Sequence, residues 1–440
     1  MTDRPPLAVF LFDHHVADVV DAGFGDTAIR YTAEALANPV GSRLSLSLPV
    51  QDAVHPFAGP GGRWVRSLLP EGRALAWAVQ HFGIPEDDRY GLIAVLGADV
   101  AGAVRILTEP SDPTDDGSYE RLSAEELAEV VHRVPEVGLG LDRERGVKLS
   151  LAGMQDKVLL HRIDDGYALP IDGAPSTLIV KPEPGVLNNG VDVTGLASNE
   201  LFCLALARTI GLHVASATME TFGGTPCLVV ERFDRELIGG RIRRRHQEDL
   251  LAAMGLDPLL KYERPEYERR APVGAFTMGS TTIARPGPSL RDIAACLERH
   301  IGRARLIQFL EAVTFNVAIG NADSHARNYS VLLSSDGSVE LAPLYDIIST
   351  CCYEGLDREF AQRVNGIDSL DEIRGSDLVG EATSWGIPAR LAEHRVRDVI
   401  TRIGEQLSHA RSEAEAMGGD PKVVAATTAV VGARVRMLAG

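Results

Sequence analysis

Two side chains suited to phosphate chemistry lie close together in Asn321-Ala-Asp323-Ser-His325-Ala-Arg327-Asn328, with four residues between Asp323 and Asn328. A carboxylate can orient an acceptor hydroxyl and take its proton, and a nearby amide oxygen can hold Mg²⁺ beside phosphates. One tight loop can aim both into the same cleft. The segment follows an apolar run of helical character, Leu306 to Ile319, and precedes a strand-like run, Tyr329 to Leu333. Val339 to Leu344 is a second strand candidate across the turn-forming Ser334-Ser-Asp-Gly-Ser338, and it delivers a further carboxylate, Asp346.

Loop, hairpin and Asp in this order match the catalytic loop and metal-binding Asp of protein kinases, down to the gap between Asp323 and Asn328. The plainer alternative is a polar helix cap, an ordinary turn and a surface carboxylate. A kinase site needs further elements, and upstream segments supply candidates for them. Thr177-Leu-Ile-Val-Lys181-Pro182 is a strand ending in a lysine that could grip phosphates, and Glu200 opens a helical pattern from which it could hold that lysine. Ser150-Leu-Ala152-Gly153-Met-Gln-Asp156-Lys157 is a small polar turn between strand-forming flanks, either a phosphate-covering loop or a plain hairpin. Ala217 to Phe222 and Pro226 to Val230 form a hairpin around Gly223-Gly224. It runs into Glu231-Arg-Phe233-Asp-Arg235, which is either a nucleotide-binding joint between two lobes or a strand capped by charges.

The remaining chain frames these segments. Its 440 residues allow two or three domains, and a formal net charge of −17 argues against a general nucleic-acid binder. The five cysteines are scattered without a CxxC pair, which suggests neither a disulfide framework nor a zinc site. No apolar span is long enough for a membrane helix, and the cytoplasm is the expected compartment. Strands are expected at Leu7 to Asp13, Arg43 to Pro49, Ile93 to Leu96 and Val100 to Leu107, with a helix starting after Leu69-Pro-Glu-Gly72. Residues 109–117 read as a linker, and Ser123 with Glu126 as a helix capping box. Past the joint, Gln247 to Met254, Leu290 to His300, Ala304 to Ile319, Pro388 to Leu407 and Lys422 to Leu438 carry helical periodicity. Arg241 to Arg245 is a basic run, read as a solvated loop or as a nucleic-acid or phosphate contact.

Taken together, these segments resemble the HipA family of bacterial toxin serine/threonine kinases over nearly the whole chain. The resemblance rests on Leu69-Pro-Glu-Gly72, Ser150-Leu-Ala-Gly-Met-Gln-Asp-Lys157, Val180-Lys-Pro182, Asn199-Glu200, Glu231-Arg-Phe-Asp-Arg235, Gln247-Glu-Asp249, Lys261-Tyr-Glu263, the Asp323–Asn328 loop and Leu344-Tyr-Asp346. It implies an α+β, bilobal protein-kinase-like fold with an extra N-terminal subdomain (1–107), a nucleotide-binding N-lobe (108–235) and a mostly helical catalytic C-lobe (236–440). By the same resemblance Asp323 is the catalytic base, and Asn328 and Asp346 are the Mg²⁺ ligands. ATP would be held by Ala152, Gly153, Lys181, Glu231, Phe233, Asn328 and Asp346, and Ser150 would be autophosphorylated. Implied partners are a HipB-like helix-turn-helix antitoxin, operator DNA through that antitoxin, and an aminoacyl-tRNA synthetase as substrate. Arg327 stands where family members often carry Lys, and Asp156 where they often carry Glu. Two other readings compete with an active protein kinase. One is a silent co-repressor bound to an antitoxin, against which the intact Lys181, Asp323, Asn328 and Asp346 argue. The other is a small-molecule kinase, against which the serine-bearing phosphate-side loop argues.

Overall fold

The computed structural model describes residues 4–108, 117–137, 150–151, 155–187, 189–264 and 286–440. Two sheets and a helical half organise them into an α+β, bilobal, protein-kinase-like fold with an additional N-terminal subdomain. The N-terminal sheet has four strands in the order Asp26–Tyr31, His14–Gly23, Leu7–Leu11, Val104–Leu107. The second sheet has six, in the order Ser118–Leu122, Gly166–Ile171, Val158–Ile163, Leu178–Pro182, Thr225–Glu231, Ala217–Phe222. Apolar residues of both sheets (Val9, Val104, Leu159, Val180) share one continuous core with Trp64, Leu92 and Ile93 of the N-terminal helices. The first subdomain is therefore packed as part of the lobe that holds the six-stranded sheet.

The larger second core belongs to the helical half. At its centre runs helix Leu306–Ile319, buried on nearly every face, as expected of a helix that is apolar all round. Helices Leu196–Thr209, Ala389–Ala416 and Pro421–Ala439 pack into the same core. A three-stranded sheet, His246–Asp249, Ser330–Leu333, Val339–Leu341, lies beside the cleft. Among the described residues, no helix is long and apolar enough to cross a membrane.

Several local expectations hold. The helix after Leu69 begins at Gly72. The capping box forms, with the Ser123 N–H donating to Glu126 (2.8 Å) and the Glu126 N–H to Ser123 Oγ (3.2 Å). Others do not. Ile93 to Leu96 is not a strand but the end of helix Arg89–Leu96, which starts where Asp88 accepts the Gly91 N–H. A short continuous apolar run has the same appearance in either structure, and here the cap decides. Arg43 to Pro49 forms a turn closed by a Ser45–Leu48 bridge. The first part of Gln247 to Met254 is strand His246–Asp249, because pairing with Ser330–Leu333 overrides its helical pattern. The basic run is no loop either: Arg241–Arg244 is a strand of a hairpin with Arg235–Ile238.

That hairpin starts from a buried ion cluster that joins the subdomains. Asp99 lies in the connection between helix Arg89–Leu96 and strand Val104–Leu107 and is fully buried, 2.8 Å from Arg235, 3.4 Å from Arg232 and 3.6 Å from Arg244. Asp234 pairs with Arg232 (2.8 Å) and accepts the Gly102 N–H (2.7 Å). Gly102 itself has φ +80°, and a Cβ there would lie 2.8 Å from the Gln247 backbone, so the turn can pass only as glycine. Burial pushes the Asp99 carboxyl up, but the three arginines outweigh it and hold its pKa below the usual range. Asp99→Ala, which leaves the three arginines facing Asp234 alone, is expected to cost about 3–5 kcal/mol in a urea unfolding series. Wild-type stability in that variant would contradict the assignment.

Candidate active site

The site grows from one strand end. Strand Leu178–Pro182 carries Lys181 inward, and the next residue but one, Glu183, turns to the following helix. Helix Leu196–Thr209 begins at Gly195, which offers no side-chain cap. The Glu183 carboxylate takes that role, accepting the N–H groups of Gly195 (2.9 Å) and Leu196 (3.0 Å), where a negative charge also suits the helix dipole. The helix is thereby fixed to the strand, and one turn along it Glu200 meets Lys181 at 2.8 and 3.1 Å. Both are almost wholly buried, at 5% and 1% exposure. The neighbouring Asn199 clamps the far segment reciprocally: its amide donates to the Ser349 carbonyl (3.1 Å) and its oxygen accepts the Ser349 N–H (2.8 Å).

That clamp helps to aim Asp346, whose carboxylate accepts a hydrogen bond from the Lys181 ammonium. Asp346 has φ 51°, a left-handed conformation uncommon outside glycine and concentrated at functional sites. Burial raises the Asp346 pKa, but Lys181 and Lys157 more than offset this, and the carboxyl stays ionised well below its usual range.

The loop Asn321–Asn328 faces this cluster across the cleft. Its start is held from beneath: Asn321 donates to Asn316 Oδ1 (2.8 Å), and Thr350 Oγ accepts the Ala322 N–H and donates to the Gly320 carbonyl, both at 2.9 Å. Its end is held by Tyr345, whose hydroxyl donates to the Arg327 carbonyl (2.7 Å). Asp323 accepts the Tyr262 hydroxyl, and Asn328 donates its amide N–H to the Asp323 carbonyl (2.8 Å). The Asn328 oxygen is then left as an acceptor. Lys181, Glu200, Asp323, Asn328 and Asp346 all line one cleft together with Glu231 and Phe233. The Phe233 ring lies 5.7 Å from that of Tyr345, and the Glu231 and Arg232 N–H groups are bonded to the Ser216 and Thr177 carbonyls, each at 2.9 Å.

The donor set fits Mg-ATP. Asp346 and Asn328 are hard oxygen ligands, and two such ligands with phosphate oxygens are the usual Mg²⁺ environment. A caged ammonium, Lys181, stands beside them. Two family models match the chain: the HipA N-terminal domain over residues 7–107 and the HipA-like C-terminal domain over 149–407. The chain belongs to the HipA family.

Its relatives include the putative kinase Y4mE of Sinorhizobium fredii, 31% identical over 87% of this chain and 86% of that protein. The serine/threonine-protein kinase toxin HipA of Shewanella oneidensis is 28% identical over 78% of this chain and 75% of its own. A solved complex of HipA, HipB and operator DNA from Shewanella oneidensis MR-1 matches 98% of this chain with TM-score 0.78 and 25% identity.

Within this HipA-family site, two sequence candidates, Ala152 and Gly153, lie outside the described residues. Ser150 is 0% exposed, with its hydroxyl donated to the Leu68 carbonyl and its N–H to the Asp99 carbonyl (3.0 Å). Sequence reasoning missed Lys157 as a cleft residue, because a lysine after a turn looks like solvated surface. It also read Arg232, Asp234 and Arg235 only as neighbours of Glu231 and Phe233, although their side chains point into the Asp99 cluster.

Burial pushes the Lys157 ammonium down to about 8, against the pull of Asp346. The folded pKa therefore lies below the unfolded one, and between about pH 8 and 10.5 the unfolded chain binds more protons. Stability from this group should rise with pH across that window. Urea midpoints at pH 7.5, 8.5 and 9.5 are expected to favour Lys157→Met over wild type most at the lowest pH, with the gap closing upwards. A gap independent of pH would refute the assignment.

Proposed function

We propose that this chain is a toxin serine/threonine kinase that transfers the γ-phosphoryl group of ATP to a serine of a translation protein, an aminoacyl-tRNA synthetase. The observation that carries this reading is the convergence of the Lys181–Glu200 pair with Asp323, Asn328 and Asp346 on a single cleft. Lys181, kept charged by its two carboxylate neighbours, holds the phosphates. Asp323, oriented by Tyr262, receives the acceptor serine and takes its proton as the hydroxyl oxygen attacks phosphorus. Glu231 and Phe233 seat the adenine between the lobes. Asn328 and Asp346 would hold Mg²⁺, which when bound neutralises charge on the phosphate oxygens. Most of the rate then comes from positioning and fixed charge, which suits a site whose parts are this heavily cross-bonded.

Ser150 is proposed as the autophosphorylation site. Its buried seat against the Leu68 carbonyl cannot hold a phosphoserine of charge roughly −1.5 to −2, so modification would drive the segment out of that seat. A HipB-like helix-turn-helix antitoxin is the proposed partner, with operator DNA reached through it. The likeness to a HipA–HipB–operator complex supports this, and it also keeps a co-repressor role in view. The two roles separate on Asp323→Asn. For a kinase, intact mass after incubation with Mg-ATP should show phosphate on Ser150 in wild type. The variant should transfer roughly 10²–10⁴-fold more slowly with an unchanged melting curve. Equal phosphate in both proteins would remove Asp323 from the role, and none in either, with no synthetase modified, would favour the co-repressor.

A further inference from the structure

We propose that the Glu71–Arg73 corner of the N-terminal subdomain is a positioning element of the active site, holding the catalytic loop through Glu71 and the phosphate-side segment through Arg73. The inference rests on the phosphoryl-transfer reading. Glu71 opens the helix Gly72–Phe82, far from the kinase elements in sequence, yet its carboxylate pairs with Arg327 in the loop that carries Asp323 and Asn328. Its second oxygen lies 3.3 Å from Lys261 Nζ.

These two cations meet at the one Glu71 carboxylate, and each neighbours a residue of the site in the chain. Arg327 is adjacent to Asn328 in the chain. Lys261 precedes Tyr262, the residue bonded to Asp323, and the Lys261 carbonyl accepts the Ala326 N–H (3.1 Å). Arg327 uses the rest of its guanidinium on Asp249 (3.0 Å) and on the Ser67 carbonyl (2.9 Å). A planar fork can meet three acceptors on three different elements at once, which a lysine ammonium does less well. The guanidinium of Arg327 is thus committed to holding the loop in place.

The charges balance in this buried place: Glu71 and Asp249 face Arg327 and Lys261. Neutralising Glu71 leaves two cations against one carboxylate, and the loop loses an ionic tie to the N-terminal subdomain. Two residues on, Arg73 pairs with Asp156 at 2.8 Å, beside Lys157. One rigid corner therefore sets both sides of the cleft, where a misplacement of about 1 Å can cost roughly 10²-fold in rate.

The test is steady-state ATP turnover of the full-length protein, with melting curves alongside, for wild type, Glu71→Gln, Glu71→Asp and Arg73→Gln. Glu71→Gln is expected to lower kcat by roughly 10²-fold with KM for ATP unchanged, assayed below the melting temperature of the variant. Glu71→Asp should recover part of that kcat, whereas Arg73→Gln should act mainly by raising KM for ATP. Wild-type kcat in Glu71→Gln overturns the proposal. So does a parallel fall of kcat, ATP affinity and melting temperature in both Glu71 variants, the result for a purely structural joint. An inactive wild type would defeat the kinase reading and this inference with it, while an active wild type with an unaffected Glu71→Gln would defeat only the positioning role.

Discussion

The buried ammonium of Lys181 is the constraint on which the rest of the structure depends. A cation at that depth is costly unless it is paired and hydrogen-bonded, and its two partners come from a helix and from a distant loop. Satisfying it fixes the six-stranded sheet, helix Leu196–Thr209 and the segment around Asp346 relative to one another. Glu183 and Asn199 reinforce the same geometry through the helix start and the Ser349 backbone. The site is thus a by-product of solving an electrostatic problem, and the solution leaves a charged, oxygen-rich cleft suited to phosphates.

A second electrostatic solution, the Asp99 cluster, ties the N-terminal subdomain to the joint between the lobes. It explains why the segment Glu231–Arg235 alternates in use. Glu231, Arg232, Phe233 and Asp234 all border the cleft, but the side chains of Arg232, Asp234 and Arg235 are engaged in buried ion pairs. The N-terminal subdomain also shares its apolar core with the six-stranded sheet. It is joined to the kinase elements by a core, an ion cluster and the Glu71 corner.

Much of this was legible in the sequence because it is local. The Asp323–Asn328 spacing, the helix before it, the hairpin after it and the Lys181 strand are all set by near neighbours in the chain. The pairing of Lys181 with Glu200 could be read as well, since a strand lysine followed by a helix glutamate is a recurrent solution. What escaped was long-range. Nothing near Asp99 announces three arginines more than 130 residues away, and nothing near Glu71 announces Arg327. Ile93 to Leu96 went wrong for a different reason, because a short apolar run has no period to read and the deciding Asp88 cap lies outside it. The strand His246–Asp249 depends wholly on a partner 80 residues on, which local propensity cannot anticipate.

Calorimetric titration with ATP in the presence and absence of Mg²⁺ decides whether Lys181, Asn328 and Asp346 form the proposed metal-dependent ATP site. Wild-type protein is expected to bind ATP much more tightly with Mg²⁺, and Asp346→Asn to lose most of this metal dependence while keeping its fold. Binding of equal strength with and without Mg²⁺, or a metal dependence untouched in Asp346→Asn, would contradict that assignment.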